Sequence, residues 1–320
     1  MDLRRLGRSD LRFAPLMFGG NVFGWTADEA MSHRLLDAFV DAGFNAIDTA
    51  DVYSTWVPGH QGGESEAVIG RWLKKRGNRQ KVIIATKVGS DMGGGKKGLA
   101  PAYIKQAVED SLRRLQTDYI DLYQSHQDDQ ESAQEDTMQA YADLIGEGKV
   151  RVVGASNFTA ERLAGAQEAS AAKGLPRYES LQPCYNLYDR WEYEGALQDL
   201  CVRQEIGVIS YFSLASGFLT GKYRGKEDLG QSARGEDIEK YLDARGLRIL
   251  AALDEVAARY SAKPAQIALA WLLTRSGIVA PIASATSLAQ LETLTAAARL
   301  QLDADAISLL TKASDRDQRS

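Results

Sequence analysis

The sequence predicts an α/β protein whose parallel sheet closes into a (β/α)8 barrel, and three observations carry that expectation. Eight short apolar runs alternate with longer segments at helical spacing, the pattern of parallel strands joined by helical crossovers. The runs are almost continuously apolar, as strands covered on both faces must be. No G-x-G-x-x-G follows the first run and no shift in composition divides the chain. An open doubly wound sheet is the competing architecture, but eight units of about forty residues each suit a barrel better. A single domain over residues 1–320 is the expectation.

In chain order, a β-hairpin comes first: Leu3 to Leu6, the turn Gly7-Arg8-Ser9-Asp10, then Leu11 to Phe13. The strand candidates follow at Leu16–Gly19, Ala46–Thr49, Val82–Thr86, Tyr119–Tyr123, Val150–Ala155, Ser180–Gln182, Gly207–Tyr211 and Val279–Ala283. Between them, His33–Ala42 sets Leu35, Leu36, Phe39 and Val40 on one face of a helix. Tyr103–Leu115 does the same with Ile104, Ala107, Val108, Leu112 and Leu115, with Pro101 near its start, where the missing N–H is harmless. Helical spacing also covers 64–76, 136–146, 159–172, 192–204, 245–260 and 264–275, and two further helices follow the last strand at 287–298 and 303–313. The polar segment Lys222–Lys240 breaks the rhythm. Its length predicts a lid or a disordered loop, mobile either way and not part of the core.

Composition narrows the function. The net charge is −5, from 38 Lys and Arg against 43 Asp and Glu, and no basic arm offers itself to a nucleic-acid backbone. No apolar run approaches the ~18–20 residues of a membrane span, and Met1-Asp2-Leu3-Arg4-Arg5 has no apolar stretch behind it to make a secretory signal. The two cysteines, Cys184 and Cys201, have no CxxC spacing. Neither a disulfide framework nor a cysteine-built metal site is expected, no other metal is implied, and the reducing cytoplasm is the natural setting.

In a barrel the active site lies where strands end and βα loops begin. Reading those ends gives Asp48 and, just after it, Tyr53; then Lys87, His126, Ser156-Asn157, Gln182, and Tyr211 with Ser213. Each has a plain structural alternative. Asp48 would serve as a cap, Tyr53 as a rim aromatic and His126 as a satisfied core histidine. His33 belongs on a solvated helix face and His60 in a glycine-rich loop. A lysine beside a buried strand, however, is expensive unless paired. Four ionisable groups on consecutive strand ends form a cluster with little structural purpose. A phenol is a weak acid, with pKa about 10. An ammonium beside it favours the phenolate, so Lys87 would make Tyr53 a usable proton donor, with Asp48 keeping the lysine charged. His126 would orient a carbonyl oxygen. Side chains hold no hydride, so a reduction would need a cofactor.

These residues resemble the aldo-keto reductase superfamily over nearly the whole chain, from Met1 to about Leu310. The likeness begins at Leu6-Gly7-Arg8-Ser9 and Leu16-Met17-Phe18-Gly19. It continues through Gly43-Phe44-Asn45-Ala46-Ile47-Asp48-Thr49-Ala50-Asp51-Val52-Tyr53, Gly63-Glu64-Ser65-Glu66 and Ile84-Ala85-Thr86-Lys87. Asp118 to His126, Gly148 to Arg151 with Ser156-Asn157-Phe158, and Gly217 to Tyr223 complete it. The resemblance implies a TIM barrel with two additional helices and an NADPH-dependent reduction of aldehydes or ketones without a metal, with NADH as the alternative cofactor. It implies Tyr53 as proton donor, Lys87 and Asp48 as its partners, and His126 as the carbonyl's guide. Ser156, Asn157 and Gln182 would meet the nicotinamide carboxamide, near Gly19 and Asp48, with Tyr211 stacked on the ring. Ser213, Leu214, Gly217, Leu219, Gly221 and Lys222 would line the pyrophosphate, and the 222–240 segment would be its flap. Trp25, Trp56 and Gln127 would wall the substrate pocket, unless they are simply rim residues.

Two departures stand out. Where many relatives carry Lys or Arg toward the adenosine 2′-phosphate, this chain has Ser284, Thr286 and Gln290, with Leu294 in place of an Asn. The histidine segment continues as Gln127-Asp128-Asp129 and not as tryptophan-proline. Two other functions compete: a barrel aldolase with a Lys87 Schiff base, and a non-catalytic subunit that senses bound nucleotide.

Overall fold

The computed structural model describes residues 1–231 and 235–316. Strands β1 (Arg4–Arg5) and β2 (Arg12–Phe13) form the antiparallel hairpin, with Arg4 opposite Phe13. The barrel strands are β3 (Met17–Gly19), β4 (Ala46–Asp48), β5 (Ile83–Val88), β6 (Ile120–Ser125), β7 (Val150–Ser156), β8 (Tyr178–Gln182), β9 (Gly207–Ser210) and β10 (Ile278–Ala283). All neighbours are parallel, and β10 pairs with β3 to close the barrel. The expected (β/α)8 fold is therefore the fold the chain adopts.

Helices α1 (Glu29–Asp41) to α6 (Ala196–Arg203) each follow a strand: α2 is Glu64–Arg76, α3 Pro101–Leu115, α4 Gln134–Gly146 and α5 Ala160–Lys173. Two helices, α7 (Ala244–Tyr260) and α8 (Pro264–Leu273), follow β9, and α9 (Leu288–Ala297) and α10 (Ala304–Ser314) follow β10. Helices α7 and α10 pack on each other and are the two beyond one helix per strand.

Two hydrophobic layers hold this arrangement. Between barrel and helices lies the larger, with Trp72, Tyr141, Tyr178 and Trp271 fully buried. Inside the barrel, Leu6, Leu11 and Phe13 of the hairpin join Met17, Ala46, Ile83, Leu122, Val152, Ile209 and Val279. The hairpin thus plugs the N-terminal end. Arg4 Nη1 pins it to β10 through the Ile278 carbonyl at 3.0 Å, and Glu179 Oε2 at the start of β8 accepts from Arg8 N at 2.7 Å. Plugging one end leaves the C-terminal end as the open mouth.

Several local expectations need correction. Helix α1 begins at Glu29, capped by Asp28 (Met31 N to Oδ1, 2.8 Å). Its polar first turn hid the start from an apolar-periodicity reading. Helix α6 begins at Ala196, not near residue 192, because Arg190 and Glu194 are drawn into a buried ion pair at 2.8 Å ahead of it and Gly195 takes φ 100°. His33 does not sit on a solvated face; its ring nitrogen lies 3.1 Å from the Val68 carbonyl of α2. The 222–240 segment, of which 232–234 lie outside the described residues, does contribute to the core. Tyr223 and Ile238 are wholly buried, and 3-10 turns run over Lys226–Gln231 and Gly235–Tyr241. Among the described residues, no helix is long and apolar enough to cross a membrane.

Candidate active site

The strand register brings the candidate residues level at the open mouth. Asp48 lies opposite Ala85 of β5, Lys87 opposite Gln124 of β6, and Ser156 opposite Gln182 of β8. Parallel strands staggered this way present their last residues to a common space.

Lys87 is wholly buried, and its Nζ donates to three acceptors: Asp48 Oδ2 at 2.6 Å, the Thr49 carbonyl at 2.8 Å and the Tyr53 hydroxyl at 2.9 Å. Three acceptors match the three N–H bonds of an ammonium. Burial pulls the ammonium's pKa down, and the adjacent Asp48 carboxylate opposes that pull. Tyr53 donates to Asp48 Oδ2 at 3.2 Å, while Asp48 Oδ1 accepts from Gln182 Nε2 at 3.0 Å. Asp48 is therefore held on both oxygens, and the phenolic oxygen faces a cation.

The loop carrying Tyr53 is braced from behind by the Gly63-Glu64-Ser65-Glu66 motif. Ser65 Oγ lies 2.8 Å from Thr49 Oγ1 and donates to the Gly20 carbonyl at 2.8 Å. Glu66, fully buried, accepts from Arg114 Nε at 2.6 Å and Thr86 Oγ1 at 2.5 Å. Glu66 of α2 thus ties a cation of α3 to β5 just beside Lys87. Asp51 lies in the same buried region, and among the described residues neither of its carboxylate oxygens has a hydrogen-bond partner. Burial and the Glu66 charge push its pKa up to about 8.

His126 stands 6.1 Å from the Tyr53 ring, centroid to centroid. Burial and the Lys87 charge push its pKa down to about 3, so the imidazole is neutral at working pH. Its Nδ1 is buried without a partner among the described residues, which leaves Nε2 as the nitrogen able to serve a ligand. Beyond it, Asp128 accepts a bidentate pair from Arg162 of α5 (2.8 and 2.9 Å), and Asp129 Oδ2 accepts from Leu99 N at 2.7 Å. The Gln127-Asp128-Asp129 departure thus ties the histidine loop to its neighbours.

A cavity of about 820 Å3 opens over this cluster. Its lining includes Asp48, Tyr53, Trp56, His126 and Gln127, then Ser156, Asn157, Gln182 and Tyr211, and also Ser284, Thr286, Gln290 and Leu294. Asn157 adopts the left-handed conformation (φ 58°), which asparagine tolerates better than most residues. Its Nδ2 donates to the His126 carbonyl at 2.8 Å, and its Oδ1 accepts from the Tyr211 hydroxyl at 2.8 Å. Ser156 Oγ donates to the Gln182 carbonyl at 2.8 Å. At the β3 end, a side chain at Gly19 would come within 2.5 Å of Ser284 Oγ, so glycine is what lets the strand end and the 284 segment meet. After β9 the backbone turns tightly: Phe212, Ala215, Ser216 and Gly217 all have positive φ. Ser213, Leu214, Gly217 and Lys222 line the cavity there.

The structure does not set every candidate on the cavity wall. Leu219 is fully buried, and Gly221 closes the turn at φ 79°. Trp25 stands behind Trp56, ring centroids 5.7 Å apart. Conversely, Phe212, Lys263 and Thr293 line the cavity, and sequence reasoning did not select them. Phe212 follows a named strand end by one residue, but the other two come from helices remote in sequence.

Comparison with known proteins agrees with this geometry. The model of the aldo/keto reductase family matches residues 15–315. The chain is 32% identical to Protein tas of Escherichia coli strain K12 over 96% of each chain. It is 32% identical to the uncharacterized oxidoreductase YrpG of Bacillus subtilis strain 168, over 97% of this chain and 95% of that one. The aldo-keto reductase YhdN of the same organism is 34% identical, over 86% of this chain and 81% of YhdN. With family model, full-length relatives and barrel architecture in agreement, the chain belongs to the aldo/keto reductase family and is an oxidoreductase.

Proposed function

We propose that the protein reduces aldehydes or ketones to alcohols with a nicotinamide dinucleotide, NADPH by preference, and that Tyr53 is the proton donor. The observation that carries this reading is the Lys87 ammonium 2.9 Å from the Tyr53 oxygen, inside a mouth that the cavity reaches.

The residues present fit such a cofactor. Polar groups from several strand ends line the cavity. Asn157 and Gln182 offer amide groups for the nicotinamide carboxamide, with Ser156 beside them, and Tyr211 offers a ring face. Successive positive-φ residues after β9, with Lys222 behind them, suit a pyrophosphate. Bound there, the reduced nicotinamide would supply the hydride.

Every other part of the reaction falls to the chain. Neutral His126 donates a hydrogen bond to the substrate carbonyl and holds it toward Tyr53. As negative charge develops on that oxygen, the phenol gives up its proton. Lys87, donating to the phenolic oxygen, stabilises the phenolate left behind, and Asp48 holds Lys87 in place. Burial of the pair keeps these interactions strong, because little water competes. Trp56 and Gln127, with Trp25 behind, shape the substrate end. Two buried free thiols, Cys184 and Cys201, suit the reducing cytoplasm.

A Schiff-base aldolase fits less well. Lys87 Nζ has all three hydrogens engaged, and Lys87 is not part of the cavity wall. Fluorescence titration with NADPH and NADH, followed by an aldehyde-dependent oxidation assay, tests the proposal. Saturable quenching and turnover are expected. Binding without turnover would point to the nucleotide-sensing subunit, and binding of neither nucleotide would defeat the proposal.

A further inference from the structure

We propose that Lys263, at the start of α8, is the residue that distinguishes NADPH from NADH by meeting the adenosine 2′-phosphate. This rests on reading the cavity as a dinucleotide groove.

Among the described residues lining the cavity, only Lys222 and Lys263 carry a positive charge. Lys222 follows Gly221, the positive-φ residue that closes the 3-10 turn Ala215–Thr220, and that turn with its own positive-φ residues 215–217 is the place suited to a pyrophosphate. A dinucleotide without a further phosphate needs no second cation. Lys263 nevertheless lines the same cavity with Gln290, Thr293 and Leu294 of α9, and its Nζ donates to Thr293 Oγ1 at 3.1 Å.

Its surroundings sharpen the assignment. The backbone is fixed, because Gln266 Oε1 accepts from Lys263 N at 2.6 Å. The side chain is exposed, and among the described residues no carboxylate pairs with it. Its one polar partner is a hydroxyl, which a phosphate displaces readily, since charge-assisted bonds are roughly twice as strong as neutral ones. The neighbouring wall is neutral. Ser284, Thr286 and Gln290 carry no charge, and Gln290 Oε1 already accepts from Thr286 N at 2.8 Å and from its Oγ1 at 3.1 Å. Those groups bond a ribose hydroxyl or a phosphate alike. A lysine ammonium favours the phosphate.

The test is fluorescence titration of the full-length protein with NADPH and NADH, in wild type, Lys263→Ala, Lys263→Arg and Lys222→Ala. The wild type is expected to prefer NADPH. Lys263→Ala should lower the NADPH-to-NADH affinity ratio by about tenfold or more, the scale of a lost hydrogen bond to a charged group. Lys263→Arg should keep most of the ratio, and Lys222→Ala should weaken both nucleotides about equally. A wild type without preference, or a Lys263→Ala ratio equal to the parent's, overturns the assignment while leaving the reductase reading intact. A wild type that binds neither nucleotide overturns both.

Discussion

Two regions beside the cavity each depend on a lysine, in opposite ways. Lys87 is fully buried and tied to three acceptors, one of them a carboxylate. Lys263 is exposed and reaches a single hydroxyl. At the first the charge is part of the fold, so removing it disturbs the fold as well as the chemistry. At the second the charge is available to a ligand, so removing it alters only what is bound. Burial decides which kind of role a cation plays, since an unpaired charge is tolerable in water and intolerable without it.

Lys87→Met should show the largest effect. Turnover falls by about a thousandfold, within the range for proton-transfer catalysis. Stability falls by about 3–5 kcal/mol, because Asp48 is left buried and uncompensated. Urea unfolding beside steady-state kinetics separates the two losses. Adding Asp48→Asn should recover much of the stability and none of the activity. Recovery of both would place the lysine's importance in packing alone.

The plugged end gives the contrary case. Phe13→Ala should cost about 3–5 kcal/mol, as large aromatic truncations in cores do, since Phe13 is fully buried within the barrel. Turnover per folded molecule should hardly change. A large loss of turnover at full occupancy of the native state would mean that the hairpin shapes the mouth as well.

Stability should also fall with rising pH because of Asp51. Its folded value of about 8 lies above the ordinary carboxyl value of about 3.9. Between those values the folded chain keeps a proton that the unfolded chain has released. The contribution is complete below about pH 4 and gone as pH rises through about 8. Asp51→Asn should flatten that alkaline decline in thermal melts from pH 6 to 9, and an unchanged slope would remove Asp51 from the account. Over the same span His126 stays neutral, so its titration should not appear in the rate profile.

The smallest effect is expected at the surface. Arg224 pairs with Asp254 at 2.8 Å, with both side chains more than 40% exposed, so Arg224→Ala should cost under about 1 kcal/mol.

Much of this was legible in the sequence, and the reason differs between regions. Strands buried on both faces write themselves as apolar runs, so all eight were visible with edges displaced by a residue or two. Asp48, Tyr53, Lys87 and His126 stood out because ionisable groups at strand ends conflict with burial. Lys263 and Thr293 carry no such conflict. They are ordinary residues, one exposed and one half-buried, until α8 and α9 bring them together across thirty positions of sequence. The buried role of Ile238 was hidden for the opposite reason, a single apolar residue within a polar stretch. Asp51 sits between strong motif residues, and nothing in its spacing revealed that its side chain is sealed away from water.

In the proposed reaction one phenol supplies the proton, and Tyr53→Phe is the sharpest probe because only the hydroxyl is lost. Aldehyde reduction and dinucleotide affinity should be measured on the same preparation. Reduction should fall by about a hundredfold to ten-thousandfold while nucleotide affinity stays near the parent's. Reduction at the parental rate would contradict that assignment.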